Sequence, residues 1–130
     1  MYNSDYTIKS IKLSDEKLNR EYGYYPNGQI KNISGVDNYD YDQVNSLTKA
    51  DNHSYAYDNN QNRIQDSSHG TPTSYTIAAD SNRLLSSTQN QATTNYEYDN
   101  AGNMIKDKLA TYSYDGLNRL SCFIHGRNVI

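Results

Sequence analysis

The chain has 130 residues, enough for one small domain and too few for two ordinary ones. A net charge of −3 with no Lys/Arg cluster excludes the basic patch that a nucleic-acid binder carries. The mean hydropathy of −0.99 leaves few aliphatic residues for a conventional core, and the single cysteine, Cys122, excludes an intrachain disulfide framework.

Residues 1–5 have neither a basic segment nor an apolar run, so no signal peptide is expected. No stretch approaches the roughly 18 apolar residues of a membrane-spanning helix, and neither membrane insertion nor a nucleic-acid partner is expected. Residues 6–13 place apolar side chains near alternate positions and predict a strand. Ser14-Asp15-Glu16 predicts a turn, and residues 18–24 the returning strand. A short helix over residues 15–22, capped by Ser14, is the alternative. Residues 1–21 thus form an N-terminal strand-and-turn segment.

From residue 22 one pattern recurs: Tyr-x-Tyr-Asp, two or three loose positions, a Gly or Asn, then a basic or amide residue and an aliphatic one. The clearest copy is Tyr96-Glu97-Tyr98-Asp99-Asn100-Ala101-Gly102-Asn103-Met104. Close relatives start at Tyr112 (Tyr114, Asp115, Arg119, Leu120) and at Tyr55 (Tyr57, Asp58, Arg63). Looser copies hold Tyr22, Tyr24 and Gly28; Tyr39, Tyr41 and Asp42; and Tyr75, Ile77, Arg83 and Leu84, where Ile77 replaces the second Tyr. The second anchors fall at Tyr24, Tyr41, Tyr57, Ile77, Tyr98 and Tyr114, and the two longest steps carry Ser67 to Thr73 and Ser86 to Gln91. Insertions of that composition are expected in surface loops.

The spacing fits two short strands and two turns. Tyr at i and i+2 share one face of a strand. An Asp after the second Tyr accepts a hydrogen bond from the N–H two residues on, opening an Asx turn. The following Gly or Asn tolerates the positive φ of a tight hairpin. Asn45, Gln61, Ser81 and Asn118 stand where other copies have Gly, least comfortably in the case of Gln61. Each copy is therefore a predicted β-hairpin. Residues 22–121 form an all-β antiparallel meander of repeated hairpins, and residues 122–130 a truncated tail. The tyrosines are expected to pack between neighbouring strands, since few aliphatic residues are available; an exposed aromatic platform for sugars is the alternative.

These motifs resemble the YD repeats of the RHS (rearrangement hot spot) family, which also occur in toxin-complex C components and in teneurins. The resemblance covers about residues 18–121, and Tyr98-Asp99-Asn100-Ala101-Gly102-Asn103 looks like the family consensus. It implies a strip of β-sheet spiralling into a shell, with no enzymatic role for the repeats. It implies as partners the remaining repeats and an enclosed C-terminal toxin or cargo, in a larger protein that is secreted or displayed at the cell surface; some members are linked to cell-surface glycan. No Asp-Pro dipeptide, the feature expected at the family's self-cleavage region, is present. The resemblance therefore implies a fragment of wall, with a nonfunctional remnant of a larger gene as a further alternative.

Other chemistry fares poorly. Asp58-Asn59-Asn60-Gln61-Asn62 opens like a calcium loop, but Arg63 stands where Gly is needed and His69 where Glu is needed. His53, His69 and His125 lie far apart in sequence, and Cys122 with His125 lacks a third partner. No phosphate loop, H-E-x-x-H or C-x-x-C occurs. No metal, cofactor or catalytic residue is expected. Arg63, Arg83 and Arg119 are expected to stack on Tyr rings or to pair with the repeat Asp.

Overall fold

A computed structural model describes residues 1–15 and 19–126. Part of the predicted Ser14–Glu16 turn, the start of the returning strand at Leu18 and the last four residues of the tail lie outside the described residues. Among the described residues the chain is all-β and antiparallel, with no helix. The first sheet takes ten strands in sequence order: β1 (Ser10–Ile11), β2 (Arg20–Tyr24), β3 (Ile30–Ile33), β4 (Asp37–Tyr41), β5 (Leu47–Ala50), β6 (His53–Tyr57), β7 (Arg63–Ser68), β8 (Thr71–Ile77), β9 (Leu84–Gln89) and β10 (Ala92–Asn95). The second runs β11 (Glu97–Tyr98), β12 (Met104–Lys106), β13 (Ala110–Tyr114) and β14 (Leu120–His125). The predicted meander of repeated hairpins is the observed fold.

The chain divides into two compact units. The first is Met1–Ala56 with Ser67–Gly70. Its N-terminal strand is shorter than predicted: Tyr6 adopts φ 64° and Asn3 N–H donates to Thr7 O at 2.8 Å, so a tight turn occupies the start of the expected strand. Only an isolated Tyr2–Ile8 bridge precedes β1, whose Ser10 and Ile11 face Glu21 and Arg20.

The second unit is Tyr57–Asp66 with Thr71–Ile130. Here the Ser- and Thr-rich segments expected as loops are mostly strand. Residues 86–89 extend β9 and residues 71–73 open β8. Thr and Ser suit a pleated surface, and Thr88 and Thr93 hydroxyls bond across the strands at 2.9 Å. The reversal needs only Asn90-Gln91, both at positive φ (49° and 65°), as in the hairpin turn whose twist matches its strands. His69-Gly70 (50° and 80°) turns the chain in the same way within the first unit. At the C-terminus, Cys122–His125 complete β14, facing Ser113, Tyr112, Thr111 and Ala110 in turn.

Little of this is sealed from water. Among the described residues only Ala110 and Ser10 are buried. The repeat tyrosines are half-buried rather than enclosed.

Candidate functional site

The feature that recurs is the hairpin end. The Asp99 N–H donates to Asn103 O at 2.9 Å, and the Gly102 N–H to Asp99 O at 3.0 Å. The same pair of bonds closes the turns at Tyr25, Asp42, Asp58 and Asp115. The residue three after Tyr25, Asp42, Asp58, Asp99 or Asp115 is left-handed each time: Gly28 86°, Asn45 70°, Gln61 66°, Gly102 90° and Asn118 58°. The expectation for Ser81 is corrected. That loop is one residue longer, closing with Ala78 N–H on Arg83 O, and Ser81 does not take the left-handed conformation.

The Asp carboxylates do what an Asx turn requires and one thing more. Asp42, Asp58 and Asp115 accept the N–H two residues on, from Val44, Asn60 and Leu117 at 2.9–3.0 Å. Each also accepts the N–H four residues on, from Ser46, Asn62 and Arg119, as Asp99 does from Asn103. The second oxygen of Asp58 takes the Asn62 amide at 3.0 Å, and that of Asp99 the Asn103 amide at 2.9 Å. These bonds hold the Asp58 and Asp99 carboxyls below their ordinary range, the amide bond being the largest cause. For Asp115 the backbone N–H groups of Arg119 and Leu117 come first, then the Arg119 guanidinium.

Beside five of these turns the strands carry a bulge. Gly23 faces Asn32 but Tyr24 faces Ile30; Asp40 faces Lys49 but Tyr41 faces Leu47; Thr76 faces Ser86 but Ile77 faces Leu84. The same slip occurs at Glu97/Tyr98 and at Ser113/Tyr114. The slip also occurs beside the Ala78–Arg83 loop, which has no left-handed residue, so it follows the second anchor of the hairpin rather than one turn conformation. The bulge sets each second anchor opposite the first aliphatic residue of the returning strand. At Gly23 the end of the exposed Asn32 side chain occupies the space a Cβ would need, so a larger residue there requires Asn32 to turn aside.

Successive hairpins are joined by tyrosine hydroxyls. Tyr24 donates to Ile8 O (2.7 Å), Tyr98 to Leu84 O (2.9 Å) and Tyr114 to Met104 O (2.9 Å). The first tyrosine of a pair bonds side chains instead: Tyr39 to Asp37, Tyr75 to Asp66 and Tyr112 to Asp107, while Tyr96 shares a bond with Ser87. Tyr75 is raised above the ordinary phenol range, first by burial and then by Asp66; Tyr112 is raised first by its bond to Asp107. Amides link neighbouring turns, Asn62 to Asn82 at 2.9 Å and Asn103 to Asn118 at 3.0 Å.

The arginines divide between the two predicted roles. Arg63 lies over the Tyr75 ring at 5.4 Å, 3.7 Å from Asp66, and Arg83 over the Tyr98 ring at 5.8 Å. Arg119 pairs with Asp115 at 2.8 Å. Two histidines expected to be apart are brought together: His53 and His69 meet edge-to-face at 5.7 Å, because both flank turns at one end of their strands. Cys122 and His125, three residues apart on β14, point to opposite faces. Among the described residues no three His, Cys, Asp or Glu are grouped to hold a metal. One aromatic groove, about 410 Å³, is lined by Tyr25, Tyr41, Asn27, Gln29, Asp40 and Asp42, with the two rings 6.3 Å apart.

No protein-family model matches the chain, and no curated protein matches it in sequence.

Proposed function

We propose that this chain is a length of wall from an RHS-type shell, working within a larger secreted protein to enclose a toxin or cargo polypeptide, with no catalysis of its own. The observation that carries this reading is the unfilled surface. Among the described residues only Ala110 and Ser10 are buried, and the repeat tyrosines are half-covered. A sheet that buries so little is completed by what lies against it. The repeat tyrosines and aspartates serve this role as construction parts, positioning strands and turns.

The test is site-specific photo-cross-linking in the longer polypeptide that carries this segment. A photoreactive residue replaces Tyr39 or Tyr96 on one strand face, and Asp40 or Glu97 on the other. A wall gives cross-links to the enclosed segment from one face only, alternating with a period of two. Equal or absent cross-linking from both faces would sink the reading.

The Tyr25–Tyr41 groove favours a second reading, recognition of cell-surface glycan. Aromatic faces flanked by carboxylates and amides are the chemistry that stacks and hydrogen-bonds a sugar. Sugar-dependent quenching of Tyr fluorescence, abolished by Tyr25→Ala, would favour it over the wall.

A further inference from the structure

One end of the first unit brings two imidazoles side by side. His53 opens β6 and pairs with Ala50 across the two-residue turn Asp51-Asn52. His69 opens a second turn at that end, with φ 50°. A left-handed position of this kind ordinarily holds Asn or Gly, and His is among the few other residues that adopt it. The His69 N–H donates to Asn52 O at 3.0 Å, so the backbone of one turn is bonded to that of the other. The two rings stand 5.7 Å apart, centre to centre, with their planes crossing at 77°.

That spacing is close to what a shared metal ion needs. Two imidazoles bound to one ion at about 2.1 Å have ring centres roughly 4.5 Å apart at a right angle and about 5.2 Å apart in a tetrahedron. The observed 5.7 Å lies about half an ångström beyond the tetrahedral value, a difference that side-chain rotation of two exposed residues closes. Steeply crossed planes are compatible with a chelate, because each ligating lone pair lies in its own ring plane. Ser68 Oγ is 3.1 Å from His69 Nδ1. When Nδ1 carries the proton and donates it to that hydroxyl, Nε2 keeps its lone pair for a metal, the tautomer that an outer contact fixes in a ligating histidine. Among the described residues no third His, Cys, Asp or Glu joins the pair, so the donor set is two neutral nitrogens with water at the other positions. Imidazole donors suit copper, nickel or zinc and not calcium or magnesium, which take oxygen ligands.

We propose that His53 and His69 form a chelating site for a divalent transition-metal ion, tightest for Cu²⁺ in the general order of affinities. The bound ion clips the Asp51-Asn52 turn to the His69-Gly70 turn, a second link beside the bond from His69 N–H to Asn52 O. The site does not depend on what lies against the sheet, so it stands or falls apart from the wall reading.

The test titrates the full chain with Cu²⁺ in a non-chelating buffer, followed by calorimetry, electron paramagnetic resonance and NMR. One ion per chain is expected, with two imidazole nitrogens in its hyperfine pattern. In the parent chain, paramagnetic broadening is expected at the amides of residues 52–54 and 68–70 first, a readout that needs no variant. His53→Gln and His69→Asn should each weaken binding about tenfold or more, and Asn retains the left-handed turn. His125→Gln, in the second unit, should leave binding unchanged. Undiminished binding in both turn variants overturns the proposal, as does an equal loss in His125→Gln or broadening centred away from the two turns. Two chains per ion would also overturn it, marking the imidazoles as a bridge between copies rather than a chelate within one.

Discussion

The hydroxyl of Tyr98 reaches back to the carbonyl of Leu84 at 2.9 Å, crossing from one hairpin to the previous one. One side chain thereby ties two repeats whose own pairing is short. Tyr98→Phe keeps the ring and removes the bond. A net hydrogen bond is worth about 0.5–1.5 kcal/mol, and urea unfolding of this variant is expected to lose that much. Unchanged stability would show that the hydroxyl contributes nothing beyond its contact with water.

The turn aspartates set an acid limit. Their folded carboxyls titrate below the unfolded value of about 3.9, so protons bind the unfolded chain first. Stability from Asp58, Asp99 and Asp115 is complete above that value and is lost as pH falls through the depressed folded values. The melting temperature is expected to hold between pH 7 and 5 and to drop below about pH 4. Asp99→Asn places an amide against the Asn103 amide. It should melt lower at pH 7 and show a shallower acid limb than the parent.

An alkaline limit follows from the tyrosines bound to carboxylates. Tyr75 and Tyr112 are raised when folded, so the unfolded chain loses its phenolic protons first. Their contribution is complete below about pH 10 and disappears as pH rises through the raised values. Ultraviolet titration should show a fraction of tyrosines ionising late, and Asp107→Asn should move one of them earlier. A single titration centred at the free-phenol value for all fourteen would contradict the Tyr–Asp geometry.

Two turn positions separate backbone strain from side-chain effects. Gly102 sits at φ 90° with the Arg83 guanidinium close by, so Gly102→Ala should cost about 1–2 kcal/mol. Gln61 holds the same conformation at φ 66° with a side chain. Gln61→Gly should be more stable than Gln61→Ala by about 1 kcal/mol, measured by urea unfolding of the pair.

Much of this architecture could be read from residue spacing. Tyr at i and i+2, Asp at the following position and Gly or Asn three further on specify strand, turn and return locally, which is why the hairpins after Tyr41, Tyr98 and Tyr114 were legible, the looser copies following from their spacing. Asn45, Gln61 and Asn118 were correctly assigned to the glycine position. The bulge was not legible, since it appears at Thr76/Ile77 beside a turn with no left-handed residue. What could not be read depends on distant neighbours. His53 and His69 meet only because two turns fall at the same strand end. The Ser- and Thr-rich segments became strand because each found a partner across a two-residue turn, and composition alone does not reveal pairing. Burial was the least legible property. Alternation marks which face a tyrosine shares, but what covers that face is set by material outside the hairpin.

Calorimetry of the isolated chain tests this most directly, because the heat-capacity change of unfolding tracks the apolar surface a fold removes from water. A packed domain of this length gives roughly 1.6–2.0 kcal/mol/K. A wall segment whose faces await partners gives a value well below that range, independent of protein concentration. A monomer unfolding with the full heat-capacity change would contradict the account, since it would require a core that only Ala110 and Ser10 cannot supply.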